Sequence, residues 1–205
     1  MSLRLSGGRK LQSPPGSTAR PTPARVRQAV MNMLSAELPG CSWLDLCCGS
    51  GVMACEALQR GARRVVAVDQ DRRMAATARS NLTLVAAGQT PPPQITVVQQ
   101  DVLRWLGQAA AASGGAGDAG RADRATAFDL IYADPPYASG LYARLCEGIA
   151  AGHWLKDGGL LLLECASAEP PSLPEGWTVL KERHYGTSTI LMLTRTTASA
   201  QEGPH

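Results

Sequence analysis

The chain has 205 residues, of which 44% are hydrophobic and 18% are charged, and its formal net charge is +3. This length suits one ordinary domain that buries a core without metal or disulfide cross-links. No apolar run is long enough to span a membrane, and the first residues contain no apolar signal core. We therefore expect a monomeric cytoplasmic protein rather than a secreted or membrane protein.

The six cysteines do not form a metal-binding pattern. No two of them are spaced as C-x-x-C, and the three histidines are not close to any of them in the sequence. We predict no metal site, and we interpret the cysteines as small core residues of a protein in a reducing compartment.

The positive charge is concentrated at the start of the chain. The first 36 residues contain no acid and six basic residues: Arg4, Arg9, Lys10, Arg20, Arg25 and Arg27. Arginine outnumbers lysine 17 to 3 in the whole chain, and the guanidinium fork suits phosphate groups. Residues 1–38 are therefore predicted to be a basic extension that binds a polyanion, although a solvated arm without a partner remains an alternative.

In chain order, residues 1–21 predict irregular structure or a short hairpin. Thr22 and Pro23 then resemble a helix N-cap followed by proline at the first helical position. Apolar residues at helical spacing continue this helix to about Leu38, where Pro39 and Gly40 end it.

Strands and helices alternate after residue 40. Apolar runs predict strands at residues 42–48, 63–69, 94–101, 128–134 and 159–166, with helices to about Arg60 and over 72–87. Two further runs meet at Gly186 and Thr187 and predict a hairpin. The fold class is therefore α/β, a doubly wound, mostly parallel seven-stranded sheet with a final antiparallel strand. We predict one domain over 39–195, a flexible insertion without chemistry at 107–127 and a disordered tail at 196–205.

Ligands of a doubly wound sheet bind beyond the carboxyl ends of its strands, and polar residues follow four of the predicted strands. The candidates for cofactor binding are Asp45, Gly49, Ser50, Gly51, Asp69, Asp101 and Val102. The glycine loop with a following acid also fits a dinucleotide site, because a carboxylate can hold the two hydroxyls of a ribose. Several acids on one rim favour S-adenosylmethionine (SAM), which carries a positive sulfonium and no phosphate, over NAD.

The motifs "LDLCCGSG", "EALQRGARRVVAVDQD" and "DPPY" resemble a class I SAM-dependent methyltransferase. The segment "GGRKL…TARPTPARVRQAVMNML" narrows the resemblance to the bacterial small-subunit (16S) ribosomal RNA guanine-N2 methyltransferases, over Ser6 to Arg195 without the 107–127 insertion. The resemblance implies SAM as cofactor and 16S rRNA or the small subunit as partner. It also implies Asp69 at the ribose, Asp101 near the adenine, and the residues from Asp134 to Tyr137 around the target base.

The residues Asp134, Pro135, Pro136 and Tyr137 are the predicted catalytic group. The Asp134 carboxylate and the Pro135 carbonyl can accept the N–H bonds of an exocyclic amine, so that its lone pair faces the methyl donor. Two prolines keep these acceptors fixed. The Tyr137 ring offers a face on which an extruded base can stack.

The expected function is methyl transfer from SAM to a guanine N2 of 16S rRNA, with Arg20, Arg25 and Arg27 on RNA phosphates. A DNA adenine-N6 methyltransferase is the alternative within the class, because such enzymes also carry an aspartate at this place. A non-catalytic RNA-binding module and an NAD oxidoreductase are alternatives from other classes; the second leaves "DPPY" without a role.

Overall fold

The computed structural model describes residues 3–13, 22–112, 127–136 and 140–196. Its helices are α1 (Ala24–Met33), α2 (Val52–Gln59), α3 (Arg72–Ala86), α4 (Val102–Ala112) and α5 (Leu141–Ala151). Its strands are β1 (Ser42–Leu46), β2 (Arg64–Asp69), β3 (Gln94–Gln99), β4 (Phe128–Ala133), β5 (Leu155–Ala166), β6 (Trp177–Tyr185) and β7 (Ser188–Arg195). Within these residues, no helix combines the length and the apolar character needed to cross a membrane.

The strands form one seven-stranded sheet in the order β3-β2-β1-β4-β5-β7-β6. Strands β1 to β5 pair in parallel, whereas β7 lies antiparallel to both β5 and β6. The predicted fold class is therefore confirmed, including the closing hairpin. The chain reverses its direction of travel across the sheet between β1 and β4, which makes the carboxyl ends of these two strands the expected ligand position.

The core lies on both faces of the sheet because side chains alternate along each strand. On one face Trp43 and Tyr132 pack with α1, α2 and α3, and their rings stack with centroids 6.1 Å apart. On the other face Leu44 and Ile131 pack with α4 and α5. This double covering explains why the central strands consist of continuous apolar runs.

The first described residues form a short hairpin, one of the two structures expected for residues 1–21. Arg4 and Lys10 form an antiparallel bridge, and the amide of Leu11 donates to the carbonyl of Leu3 at 2.9 Å. Leu5 and Leu11 are each only 3% exposed, and they belong to the same core as α1 and α2. The hairpin is therefore packed on the domain.

The start of α1 differs from the prediction. Its N-cap is Pro23, its first residue is Ala24, and its last is Met33 rather than Leu38. The carbonyl of Pro23 accepts the amides of Val26 and Arg27, so the cap residue takes part through its backbone and no side chain caps the helix. Assigning the N-cap to Thr22 was therefore wrong.

Three further elements depart from the prediction. Helix α4 continues to Ala112, so the segment 107–112 is helical and not a loop; its alanines have high helix propensity. Strand β5 begins at Leu155 rather than at residue 159, and a register irregularity between Phe128 and Leu130 accommodates the additional residues in the pairing. Neither helix α4 nor helix α5 was predicted. The rest of the insertion (113–126) and the tail from 197 lie outside the described residues.

Candidate active site

The loop after β1 is shaped by two glycines. Gly49 and Gly51 have φ values of +53° and +72°, and Gly51 is the left-handed N-cap of α2. A Cβ on Gly51 would lie 2.9 Å from the Cβ of Ala78, so α2 and α3 approach too closely for any larger residue. Ser50 is buried, and its carbonyl accepts from the Asn81 side chain at 3.0 Å. The loop is thus fixed between both helices.

Asp69 ends β2 and binds the loop. Its Oδ2 accepts the amide of Gly49 at 2.8 Å, and its Oδ1 accepts the amide of Asp71 at 2.8 Å. Burial raises the pKa of Asp69, although these two backbone hydrogen bonds oppose the shift. Each carboxylate oxygen has a further lone pair that a ligand hydroxyl could use.

Asp101 follows β3 and is exposed. Its Oδ1 accepts the amide of Arg104 at 2.9 Å, so it caps the first turn of α4. Val102 begins that helix and is buried. These two residues therefore have a structural role, and their predicted part in cofactor binding, with Asp101 near the adenine, stays a prediction.

Asp45 lies in the middle of β1 and is 2% exposed. Its Oδ2 accepts the amide of Ala54 from α2 at 3.0 Å. Burial raises the pKa of Asp45 to about 8; the Ala54 hydrogen bond opposes this, and the charges of Asp134 and Asp69 add to it. The carboxyl group therefore lies beneath the loop, where it connects β1 to α2.

Asp134 directly follows β4 and is partly buried. Its Oδ2 accepts the hydroxyl of Thr22 at 3.4 Å. Burial raises the pKa of Asp134 to about 7, the charge of Glu164 adds to the rise, and the Thr22 hydrogen bond opposes it. Pro135 is buried and Pro136 is exposed, whereas Tyr137 lies outside the described residues. The predicted acceptor is thus a carboxyl group that titrates near neutral pH.

Cys47 shows that the four predicted acids share one site. Burial raises the pKa of its thiol to about 12, and the charges of Asp69, Asp134, Asp45 and Asp101 all raise it further. The residue also has a φ of +59°, a left-handed conformation that a non-glycine residue rarely adopts. The sequence shows a cysteine beside the glycine loop, but nothing in it indicates this backbone conformation.

Sequence reasoning assigned no role to a further acid, Glu164 of β5, which is buried. It is 2% exposed, and it accepts a hydrogen bond from the buried hydroxyl of Tyr132. In the parallel register Ala133 pairs with Leu163, which puts Asp134 and Glu164 at neighbouring positions of adjacent strands. The one signal in the sequence was an acid inside the apolar run "LLLLECA".

The three predicted RNA-binding arginines have different positions. Arg25 is exposed on the first turn of α1, whereas Arg20 lies outside the described residues. Arg27 is 4% exposed, and its guanidinium binds Glu56 at 3.4 Å and the carbonyls of Thr22 and Arg4 at 2.8 and 2.6 Å. Assigning Arg27 to RNA phosphate was therefore wrong, because all of its donor groups face the protein interior.

Comparison with known proteins identifies the family. Residues 5–194 match the family described as conserved hypothetical protein 95. The chain belongs to this family. Two relatives are named ribosomal RNA small subunit methyltransferase D. The Haemophilus influenzae protein is 29% identical over 179 residues, which cover 87% of this chain and 84% of the relative. The Escherichia coli K12 protein is 27% identical over 189 residues, which cover 90% and 85%.

A solved structure supports the same assignment. The structure of yhhF from Escherichia coli is 26% identical to this chain, and the match has a TM-score of 0.75 and covers 95% of this chain and 98% of that one. The predicted resemblance is confirmed, and this member of the conserved hypothetical protein 95 family has the Rossmann-like fold of a methyltransferase.

The chemistry of the site fits the cofactor that this fold implies. The charges of Asp45, Asp69, Asp101 and Asp134 all act on the Cys47 thiol, and such a group of acids attracts a cationic ligand and repels a pyrophosphate. In this family member, Asp69 and the glycine loop would hold SAM, with Asp101 at the outer edge of the site. Among the described residues, no three His, Cys, Asp or Glu side chains are arranged to bind a metal ion.

Proposed function

We propose that this protein transfers a methyl group from SAM to the exocyclic N2 amine of a guanine in 16S rRNA of the small subunit. The observation that carries the proposal is Asp134, a partly buried carboxyl group at the end of β4 with a raised pKa, in a chain whose family relatives are named small-subunit rRNA methyltransferases. Those names support an rRNA substrate, and the choice of guanine N2 rests on the resemblance of the N-terminal segment to the guanine-N2 enzymes, with which the donor pattern of guanine agrees.

The amine must be oriented before it can react. The lone pair of guanine N2 is delocalised into the ring, so acceptors are needed that hold its two N–H bonds and direct the lone pair towards the methyl donor. The Asp134 carboxylate and the Pro135 carbonyl are the acceptors we propose, and Pro135 and Pro136 restrict their movement. Acceptors that are already fixed cost little reorganisation during the reaction.

The methyl group and the proton then move in opposite directions. When bound, SAM supplies a methyl group whose bond to the sulfonium breaks as the bond to the amine nitrogen forms, with the bonding electrons remaining on sulfur. The nitrogen must lose one proton in return. The Asp134 carboxylate can accept it, because burial raises its pKa to about 7 and a base is most useful near the working pH.

Guanine is favoured over adenine by its pattern of donors. A carboxylate can accept from both N1–H and N2–H of guanine, whereas N1 of adenine is itself an acceptor. The Tyr137 ring would stack on the extruded base. Arg25, together with Arg20, would contact RNA phosphates, since Arg25 is exposed at the start of α1.

The direct test offers radiolabelled SAM, unmethylated small subunits and naked 16S rRNA to the purified protein, with duplex DNA as a parallel substrate. We expect label in N2-methylguanosine from the ribosomal substrate. The Asp134→Asn variant keeps the shape of the side chain without its charge, and it should lose the activity while still binding SAM.

Two other results of this experiment would each indicate a different function. Label in N6-methyladenine of DNA would overturn the proposal in favour of the DNA enzyme. SAM and RNA binding with no label in any nucleoside would indicate the non-catalytic module.

A further inference from the structure

The hydroxyl of Thr22 does not cap helix α1, as the sequence suggests it should. A threonine directly before the first helical residue commonly caps the helix through its side-chain oxygen, but Pro23 is the N-cap of α1, Thr22 lies one residue further out, and no side chain caps the helix. The Thr22 hydroxyl instead donates to Oδ2 of Asp134 at 3.4 Å, across 112 residues of sequence. Thr22 is 7% exposed, so this hydrogen bond is sheltered from water.

The backbone of Thr22 is held in place by buried charge. Its carbonyl accepts from the Arg27 guanidinium at 2.8 Å, and the same guanidinium binds Glu56 of α2. Glu56 also accepts the amide and the hydroxyl of Ser6 from the hairpin, at 2.9 and 3.0 Å. The hairpin, α1 and α2 thus fix the position from which Thr22 reaches the end of β4.

We propose that Thr22 is a positioning residue for methyl transfer: its hydroxyl holds Oδ2 of Asp134, so that Oδ1 is left to accept the target amine. The inference rests on the proposed function, in which Asp134 is the acceptor. A hydrogen bond to one carboxylate oxygen fixes the rotation of the group and favours its ionised form.

The acidic groups around Asp134 oppose its ionisation. Glu164 of β5 and Asp45 of β1 both repel its negative charge. That charge in turn raises the pKa of the buried Tyr132 of β4 and of the Cys47 thiol in the loop. From the N-terminal side, Thr22 provides the hydrogen bond that lowers the pKa of Asp134. Removing that donor should therefore raise the pKa of Asp134 and deplete the reactive base at a given pH.

The test compares Thr22→Val, which keeps the shape of the side chain but removes the donor, with Thr22→Ser, which keeps the donor. The rate of methyl transfer to small subunits is measured between pH 5.5 and 9. For Thr22→Val we expect the acid limb of the profile to move up by about one pH unit, with a loss of about three- to tenfold below the midpoint that shrinks at high pH. Thr22→Ser should retain the wild-type profile.

A second measurement does not depend on turnover. The carboxyl carbon of Asp134 is titrated by carbon-13 NMR in the free protein, and its signal is assigned by its loss in Asp134→Asn. A higher pKa in Thr22→Val than in Thr22→Ser supports the inference. Equal pKa values in the two variants, or a rate loss that is the same at every pH, would overturn it and reduce Thr22 to a packing residue. A wild-type protein that methylates no RNA would instead refute the proposed function and leave the NMR comparison intact.

Discussion

An aspartate lies at each end of β4, and the surroundings of the two carboxyl groups shift their pKa values in opposite directions. At its amino end, Asp129 accepts the amide and hydroxyl of Ser42 at 2.8 and 2.6 Å and the Lys156 ammonium at 2.9 Å. Burial opposes its ionisation, but these hydrogen bonds and the Lys156 charge outweigh burial and lower the pKa of Asp129. At the carboxyl end, Asp134 has one long hydrogen bond and an acidic neighbour, and its pKa is raised.

This difference separates acids whose charge is compensated inside the protein from acids whose charge is not. Glu56 belongs with Asp129, because it is buried but paired with Arg27 and Ser6. Asp45 belongs with Asp134, because it has one backbone donor and two acidic neighbours. A carboxyl group whose charge is poorly compensated in the free protein gains most when a cationic or hydrogen-bond-donating ligand arrives.

The largest effect is expected where a paired charge loses its partner. Arg27→Ala leaves the Glu56 carboxylate buried without compensation, and it should lower the free energy of unfolding by about 3–5 kcal/mol. Urea denaturation measures this loss. The control is Arg25→Ala on the exposed side of the same helix, for which we expect a change within about 0.5 kcal/mol. Adding Glu56→Gln to Arg27→Ala should recover part of the loss; no recovery would show that packing, rather than the buried charge, is responsible.

The next effect concerns catalysis and compares the two aspartates directly. Asp134→Asn should lower the rate of methyl transfer by about 10²–10³-fold, because a fixed charged acceptor of the reacting amine is lost. Asp129→Asn should stay within about threefold of wild type at a temperature where both variants are folded. Single-turnover rates with labelled SAM test both expectations. Similar losses in the two variants would remove the distinction between the two ends of β4.

Asp134 and Asp129 should also contribute to the pH dependence of stability with opposite signs. The folded pKa of Asp134 lies above its unfolded value of 3.8, so folding takes up protons and stability falls as pH rises from about 4 to about 7. Asp134→Asn should therefore be more stable than wild type above pH 7, by a few kcal/mol at about 1.4 kcal/mol per pKa unit.

The folded pKa of Asp129 lies below 3.8, so its stabilisation is present above pH 4 and is lost as pH falls through the folded value. Denaturation midpoints of wild type and both variants at pH 3.5, 5 and 8 give the comparison. If the stability of Asp134→Asn changed with pH in the same way as that of wild type, the raised pKa of Asp134 would be contradicted.

The smallest effect is expected for RNA binding by the exposed arginine. Arg25→Ala should weaken binding to 16S rRNA and reduce the slope of log affinity against log salt by about one, as expected for one phosphate contact. Arg79→Ala, on the exposed face of α3, serves as a charge-matched control. Equal slopes for the two variants would mean that the charge of Arg25 acts without contacting a particular phosphate.

The sequence predicted the sheet and the position of the acids because both depend on local patterns. Buried parallel strands are continuous apolar runs, and Asp69, Asp101 and Asp134 stand where those runs end. The errors concern contacts between distant segments. Arg27 and Arg25 look equivalent in the sequence, and only the approach of Glu56 and the hairpin shows that Arg27 is buried.

Thr22 shows the same limit. Its neighbours Pro23 and Ala24 indicate a helix start, and the local rule assigned its hydroxyl to that helix. The partner that the hydroxyl has in the structure lies 112 residues away, and no periodicity reports such a contact. The left-handed backbone of Cys47 was missed for a related reason, since the packing of the loop imposes a conformation that cysteine does not prefer.

The six cysteines give the protein a set of built-in probes of its own motions. All are free thiols, and burial raises the pKa of each, to about 12 for Cys41 and Cys146 and to about 11 for Cys165. Thiolate, the form that reacts with alkylating reagents, is therefore scarce at neutral pH while the fold is closed. Each of the five buried cysteines should be modified only when its own segment opens, so the order of their alkylation would rank the local opening free energies of the loop, the helices and the sheet.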